Sequence, residues 1–275
     1  MPRARMVIRV FGEVSSRRPV ARNIATRWLI GVALLTLNVA GLVHQPAPPR
    51  PRTLTRAQAE GDLAALRRSR VDPRTKVEIL AGLLPRYFEH EPAGPWPSEN
   101  WVLWLVSRGS KRLRDVQSPS VLWRRGGGLC HQAATVFVSQ CRRLGIPAVL
   151  VGLGNHVVAE AQLPTERCMV DPEIGRVWDH PMEDFGSAVS DESLVQVYEA
   201  AGAPAEEAMA KASDWCDQSD NFRHPWPLAP RLYGVERLCA ALSWLIPIGL
   251  LLSAAARPFA VGRCRRHNGL VGVRL

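Results

Sequence analysis

Gly126-Gly127-Gly128-Leu129-Cys130-His131-Gln132-Ala133-Ala134, Leu144-Gly145-Ile146-Pro147-Ala148, Gly154-Asn155-His156-Val157-Val158-Ala159-Glu160 and Met169-Val170-Asp171-Pro172 follow one another within residues 126–172. Three glycines can take backbone angles closed to other residues, so the chain can turn sharply just before Cys130. Ala133, Ala134, Phe137, Val138, Cys141 and Leu144 then recur at helical spacing until Gly145 and Pro147 stop the run. Cys130 therefore falls in the first turn of a helix, where unpaired N–H groups and the helix dipole favour a thiolate.

The residues beyond this helix read as strands. Ala148 to Leu153 is aliphatic and β-branched, Gly154-Asn155 is a tight turn, and His156 to Leu163 alternates as a second strand. A third strand, Arg167 to Asp171, ends at Pro172. The period of two places His156, Val158 and Glu160 on one face, and Met169 with Asp171 on one face of the next strand. A hairpin laid on the Cys130 helix would bring His156 to the thiol, with Asp171 behind the imidazole to fix its tautomer.

This combination resembles the transglutaminase-like superfamily, thiol enzymes related in architecture to papain. The resemblance is carried by Gly128 and Cys130, Arg143 with Leu144 to Ala148, His156 with Glu160, and Asp171 with Pro172. It covers roughly fifty residues, and its specificity lies in the combination. Val157 and Val158 stand where family members usually carry an aromatic residue, and Glu166-Arg167-Cys168 where many have a Trp. The resemblance implies an α+β, papain-like core with Cys130 as nucleophile, His156 as base and Asp171 as orienter. The oxyanion donor is expected to be the Cys130 backbone N–H, with the side chains of Trp123 and Gln117 as candidates by position.

The chain of 275 residues carries a net charge of +10. Residues 1–27 hold seven Arg and one Glu, and residues 257–275 hold five Arg and no acid. Taking these from the 35 basic and 25 acidic residues leaves 23 and 24 in the middle, which argues against a nucleic-acid partner. Each basic end adjoins an apolar run, Trp28 to Val43 and Leu238 to Ala256. A membrane helix needs about 17 to 25 apolar residues, so both qualify, the first marginally, its charge-free run extending to Pro49, and the positive-inside rule puts both termini in the cytoplasm.

The expected organisation is a basic tail (1–27), a transmembrane helix (28–43), a Pro-rich spacer (44–52), and an extracytoplasmic domain (53–230, core 120–175). A second transmembrane helix (238–256) and a second basic tail (257–275) follow. The alternative for the first apolar run is a cleaved signal sequence. Thr55 to Arg68 and the run after Asp72-Pro73 read as helices packing beneath the Cys130 helix. Trp101 to Val106 reads as a short buried helix or apolar element, and Arg108 to Arg114 as a solvated basic surface.

Glu173 to Gly186 reads as irregular loop, Ser190 as the cap of a helix over 191–201, and Pro204 as the start of another over 205–215. His180 and His224 are placed in loops. Of the six cysteines, Cys168 and Cys216 form the one pair open to a disulfide. The sequence has no zinc spacing, phosphate loop or dinucleotide fingerprint, so neither metal nor cofactor is expected.

The chemistry expected is acyl transfer or hydrolysis at an amide through a thioester, with a protein or peptide acyl donor and an amine or water acceptor. A cysteine peptidase or amidase is the nearest enzymatic alternative. A membrane-tethered binding or scaffold module is the other class, since this fold type does not by itself impose turnover.

Overall fold

The computed structural model describes residues 17–43, 53–217, 221–224, 227 and 229–266. The spacer and most of the two basic tails lie outside these. The architecture is α+β: ten α-helices and a five-stranded antiparallel sheet among the described residues.

At its centre is α6 (Cys130–Arg143), buried along most of its length. The hairpin of β3 (Ala148–Leu153) and β4 (His156–Gln162) pairs from Ala148 with Ala161 to Leu153 with His156, around Gly154 at φ +52°. β5 (Arg167–Asp171) follows beside β4. These four elements lie where helical and two-residue periodicity put them. β6 (Arg176–Trp178) extends one edge and β7 (Phe222–His224) the other, giving the order β6-β5-β4-β3-β7.

The alternation of strand side chains decides what covers each face. Leu150, Ala159, Ala161, Cys168 and Val170 join a core with α6, α2 (Arg56–Arg68), α3 (Pro73–Tyr87) and α5 (Pro119–Arg125). Val151, Val158 and Met169 turn to the other face. There they meet α7 (Met182–Ala188), α8 (Asp191–Ala200) and α9 (Ala205–Cys216) through Phe185, Leu194, Tyr198 and Trp215. Local signals set several helix starts. Thr55 and Gln58 form a capping box, Asp72 accepts the Thr75 N–H at 3.0 Å ahead of Pro73, and Ser190 accepts that of Ser193 at 3.3 Å.

Four expectations are corrected. Residues 173–186 are not irregular loop, because β6 pairs with β5 and α7 follows it. His224 lies in β7, whose pairing with β3 is a long-range contact without a local signature. Residues 101–106 lie in α4 (Pro97–Ser107), but Leu105 and Val106 are exposed. Cys168 and Cys216 are free thiols, directed at the carbonyls of Ala161 and Val189.

α1 (Arg17–Val43) and α10 (Pro230–Arg266) contain segments long and apolar enough to cross a membrane, Asn23–Leu42 and Pro230–Ala256. They pack antiparallel, with Asn38 against Ser243 and Gly31 against Leu251. α4 packs across both.

Glu160, on β4, is fully buried and ties the sheet to the second helical layer. Arg223 of β7 grips its carboxylate with Nε at 3.1 Å and a terminal nitrogen at 2.7 Å, and the Met182 N–H donates to it at 3.1 Å. Removing one partner of a buried ion pair strands the other. Arg223→Ala is expected to destabilise the protein by about 3 kcal/mol, less than for a fully enclosed pair because Arg167 remains nearby and water reaches Arg223. Thermal unfolding of the purified full-length chain in detergent checks this, with Arg223→Lys expected to fall between the two.

Candidate active site

The site begins with how Cys130 is delivered. α5 ends at Gly126, whose φ of +62° is left-handed and suits glycine. Gly127 and Gly128 (β2) then pair in parallel with Glu89 and His90 (β1). A Cβ on Gly128 would lie 2.7 Å from Cβ of Gln132 and 3.0 Å from the Phe88 ring, so only glycine allows this approach. Gln132 locks the turn. Its carbonyl oxygen accepts the Leu129 N–H at 2.9 Å, and its amide donates to the carbonyls of Ala93 and Val116 at 3.2 and 2.8 Å.

Cys130 is thus the first residue of α6, half-buried, with a backbone N–H that the helix itself does not use. His156 and Asp171 belong to the strand parity of Val158 and Met169, on the face of α8 and α9. The thiol approaches from α6 on the other face, and it meets His156 at the sheet's end, where the imidazole is the first side chain of β4.

Asp171 is fully buried, and its carboxylate organises the site. Oδ2 receives the His156 Nε2 at 2.8 Å and the Tyr198 hydroxyl at 2.6 Å, while Oδ1 receives the Glu173 N–H at 2.9 Å. Trp215 Nε1 donates to the Tyr198 oxygen at 2.7 Å. An indole N–H can only donate, so the Tyr198 proton must point to Asp171. A carboxylate can only accept, so His156 Nε2 carries a proton and Nδ1 is left for the thiol.

The charges follow from these contacts. Burial opposes ionisation of Asp171, yet the imidazolium and hydrogen bonds from His156, Tyr198 and Glu173 hold its carboxyl below the usual range. Burial also opposes a charge on His156, but Asp171 and the Cys130 sulfur overcome it and raise its pKa to about 10. Burial would raise the Cys130 thiol. Hydrogen bonds with His131 and His156, the imidazolium charge and the Val157 N–H outweigh it, and the thiol falls to about 6. A thiolate–imidazolium pair is therefore the favoured state near neutral pH. Cys141 and Cys168 are buried without such partners, and burial pushes them up.

Cys130, His156 and Asp171 are brought together in one site. Trp123 lies in the core against the Tyr87 ring at 4.8 Å, and the Gln117 side chain bonds the Asp115 carbonyl at 3.5 Å, so the contacts of both lie elsewhere. Tyr198 and Trp215 also belong to the site and carry no local signal in the sequence, whereas His131, Gln132 and Glu173 lie within two residues of Cys130 or Asp171.

His156, Asp171 and Glu173 offer ligand atoms within 4.8 Å of one another. Most of these atoms are engaged otherwise: Nε2 faces Asp171, and Glu173 Oε1 holds the Lys211 ammonium at 2.9 Å and His90 at 3.0 Å, while Glu173 Oε2 is buried with no hydrogen-bond partner among the described residues. The ammonium already brings positive charge to Glu173, so the cluster reads as a proton and charge network. The chain matches no protein-family model and no curated protein.

Two variants probe the network. Asp171→Asn removes the charge that keeps His156 protonated, so the Cys130 thiol is expected to ionise about 1 to 3 pH units higher, read from the pH dependence of carboxamidomethylation with peptide mapping. Tyr198→Phe leaves the Trp215 N–H buried without its acceptor, and unfolding in denaturant should show a loss of about 1–3 kcal/mol.

Proposed function

We propose that this chain is a membrane-anchored thiol enzyme of transglutaminase-like type, acting in acyl transfer or hydrolysis at an amide. The observation that carries the reading is the Cys130 thiol, lowered to about 6 beside a buried His156 that Asp171 holds at 2.8 Å. Inert core thiols have no such partners, and here Cys141 provides the contrast within the same helix.

In the reaction the thiolate attacks an amide carbonyl. The Cys130 backbone N–H holds the oxyanion, His156 gives its Nδ1 proton to the departing amine, and a thioester remains on Cys130. An amine or water then loses a proton to His156 as it attacks the thioester, and the thiolate–imidazolium pair is restored. The acyl donor is a protein or peptide. The resemblance in Gly128–Cys130, Leu144–Ala148, His156–Glu160 and Asp171–Pro172 supports the same assignment.

The two apolar helices support anchoring by two passes. The Arg-rich ends support, by the positive-inside rule, a topology with both termini in the cytoplasm and the enzymatic domain outside.

Incubation with a p-nitrophenyl ester, a generic acyl donor, is expected to leave a hydroxylamine-labile acyl group on Cys130, seen by intact mass and peptide mapping. Cys130→Ala should abolish it, and His156→Ala should slow it by about 10²–10⁴-fold. A primary amine added to the acyl-enzyme distinguishes transfer, which yields an amide, from peptidase-type hydrolysis. An ordinary thiol pH profile with no acyl adduct would refute the enzymatic reading and leave a tethered binding module.

A further inference from the structure

α4 carries apolar residues where a soluble domain does not need them. Leu105 and Val106 are 58% and 44% exposed, Trp96 is 43% exposed, and Trp101, Val102 and Trp104 are half-buried. Its contacts are with α1 and α10, so this exposed face continues the surface of the two candidate membrane helices.

The depth of α4 can be measured along those helices. Asn38 bonds Ser243 and Gly31 meets Leu251, a register that brings Val43 of α1 level with Leu238, the outer end of the charge-free run of α10. That run, Leu238–Ala256, nineteen residues, spans about 28 Å, close to the roughly 30 Å hydrocarbon core of a bilayer.

α4 lies against this common outer end. The Gly41 backbone touches the backbone of Ser98: a Cβ there would fall 1.7 Å from its carbonyl oxygen. Trp101 Nε1 donates to the Ser243 carbonyl at 3.2 Å, the acceptor that Asn38 also uses at 2.7 Å. Ser243 is five residues, about 8 Å, inside the outer end of the apolar run of α10. The indole thus sits at the depth of the outer leaflet, where aromatic residues concentrate.

The charges beyond α4 match this placement. Arg108 stacks on Trp104 at 4.7 Å, Lys111, Arg112 and Arg114 are exposed, and no acid occurs between Glu99 and Asp115. An apolar helix face with Trp at its edge and cations at its end suits the interface of an anionic bilayer.

We infer that α4 is seated in the outer leaflet of the membrane, against the outer ends of α1 and α10, and that Arg108, Lys111, Arg112 and Arg114 bind the phosphate headgroups of anionic lipid. The occupant of this face is the bilayer itself. The inference rests on the two-pass reading of α1 and α10, and gives the exposed cations of 108–114 lipid headgroups as their partners.

The test uses the full-length protein in nanodiscs with phosphatidylcholine bearing a diazirine in its acyl chain, followed by peptide mapping after illumination. Adducts are expected on α1, on α10 and within residues 101–106. Adducts on α1 and α10 with none on α4 would overturn the inference alone, whether water or a second protein covers that face. Absence of adducts on all three would overturn the two-pass reading with it. Replacing part of the lipid by phosphatidylglycerol should raise the α4 yield, and Arg108→Gln, Lys111→Gln and Arg112→Gln together should lower it by about threefold. Equal yields in both lipids, unchanged by the substitutions, would overturn headgroup binding while leaving insertion in place.

Discussion

A carboxylate without solvent must be surrounded by donors or give up its charge, and Asp171 is surrounded. His156 comes from β4, the Glu173 amide from the turn after β5, and the Tyr198 hydroxyl from α8, itself fixed by Trp215 of α9. Each donor belongs to a different element, so the charge holds the hairpin and the second helical layer in one arrangement. His156 is the member with a free ring nitrogen, and the arrangement aims that nitrogen at the first turn of α6.

Cys130 is held from the opposite side of the sheet by different means. Gln132 satisfies the Leu129 N–H and two loop carbonyls at once, and the close packing at Gly128 brings the β1–β2 pair against the helix start. Farther back, Glu236 of α10 accepts the backbone N–H groups of Gln117 and Ser118 at 2.7 and 3.1 Å, where α5 begins. α5 has no side-chain cap of its own. The carboxylate supplies one from a candidate membrane helix, so the segment that leads to Cys130 is anchored to α10.

Two buried acids of the sheet thus serve different ends. Glu160 shares the face of His156, but Arg223 and the Met182 amide saturate it and leave no free position toward a reacting group. Asp171 faces an imidazole whose second nitrogen remains available. What separates the two carboxylates is the partner, since both are inaccessible to water.

Local physics was legible in the residues themselves. The glycines before Cys130, the 3.6-residue recurrence to Leu144, the stop at Gly145-Ile146-Pro147 and the two-residue alternation through His156 and Asp171 mark α6 and β3 to β5, because backbone sterics and one-sided burial act over a few residues. The charge-free runs of α1 and α10 were legible for the same reason. Tyr198 and Trp215 looked like ordinary apolar positions of amphipathic helices, β7 had no periodicity of its own, and Leu105 and Val106 resembled core. Their roles depend on which distant surface each meets: a buried carboxylate for Tyr198, the edge of β3 for β7, the flank of two long helices for α4. Short-range patterning settles the elements and the order of thiol, imidazole and carboxylate along the chain. The partners are a property of the folded chain, because desolvation and hydrogen-bond satisfaction are settled by contacts between residues far apart in sequence.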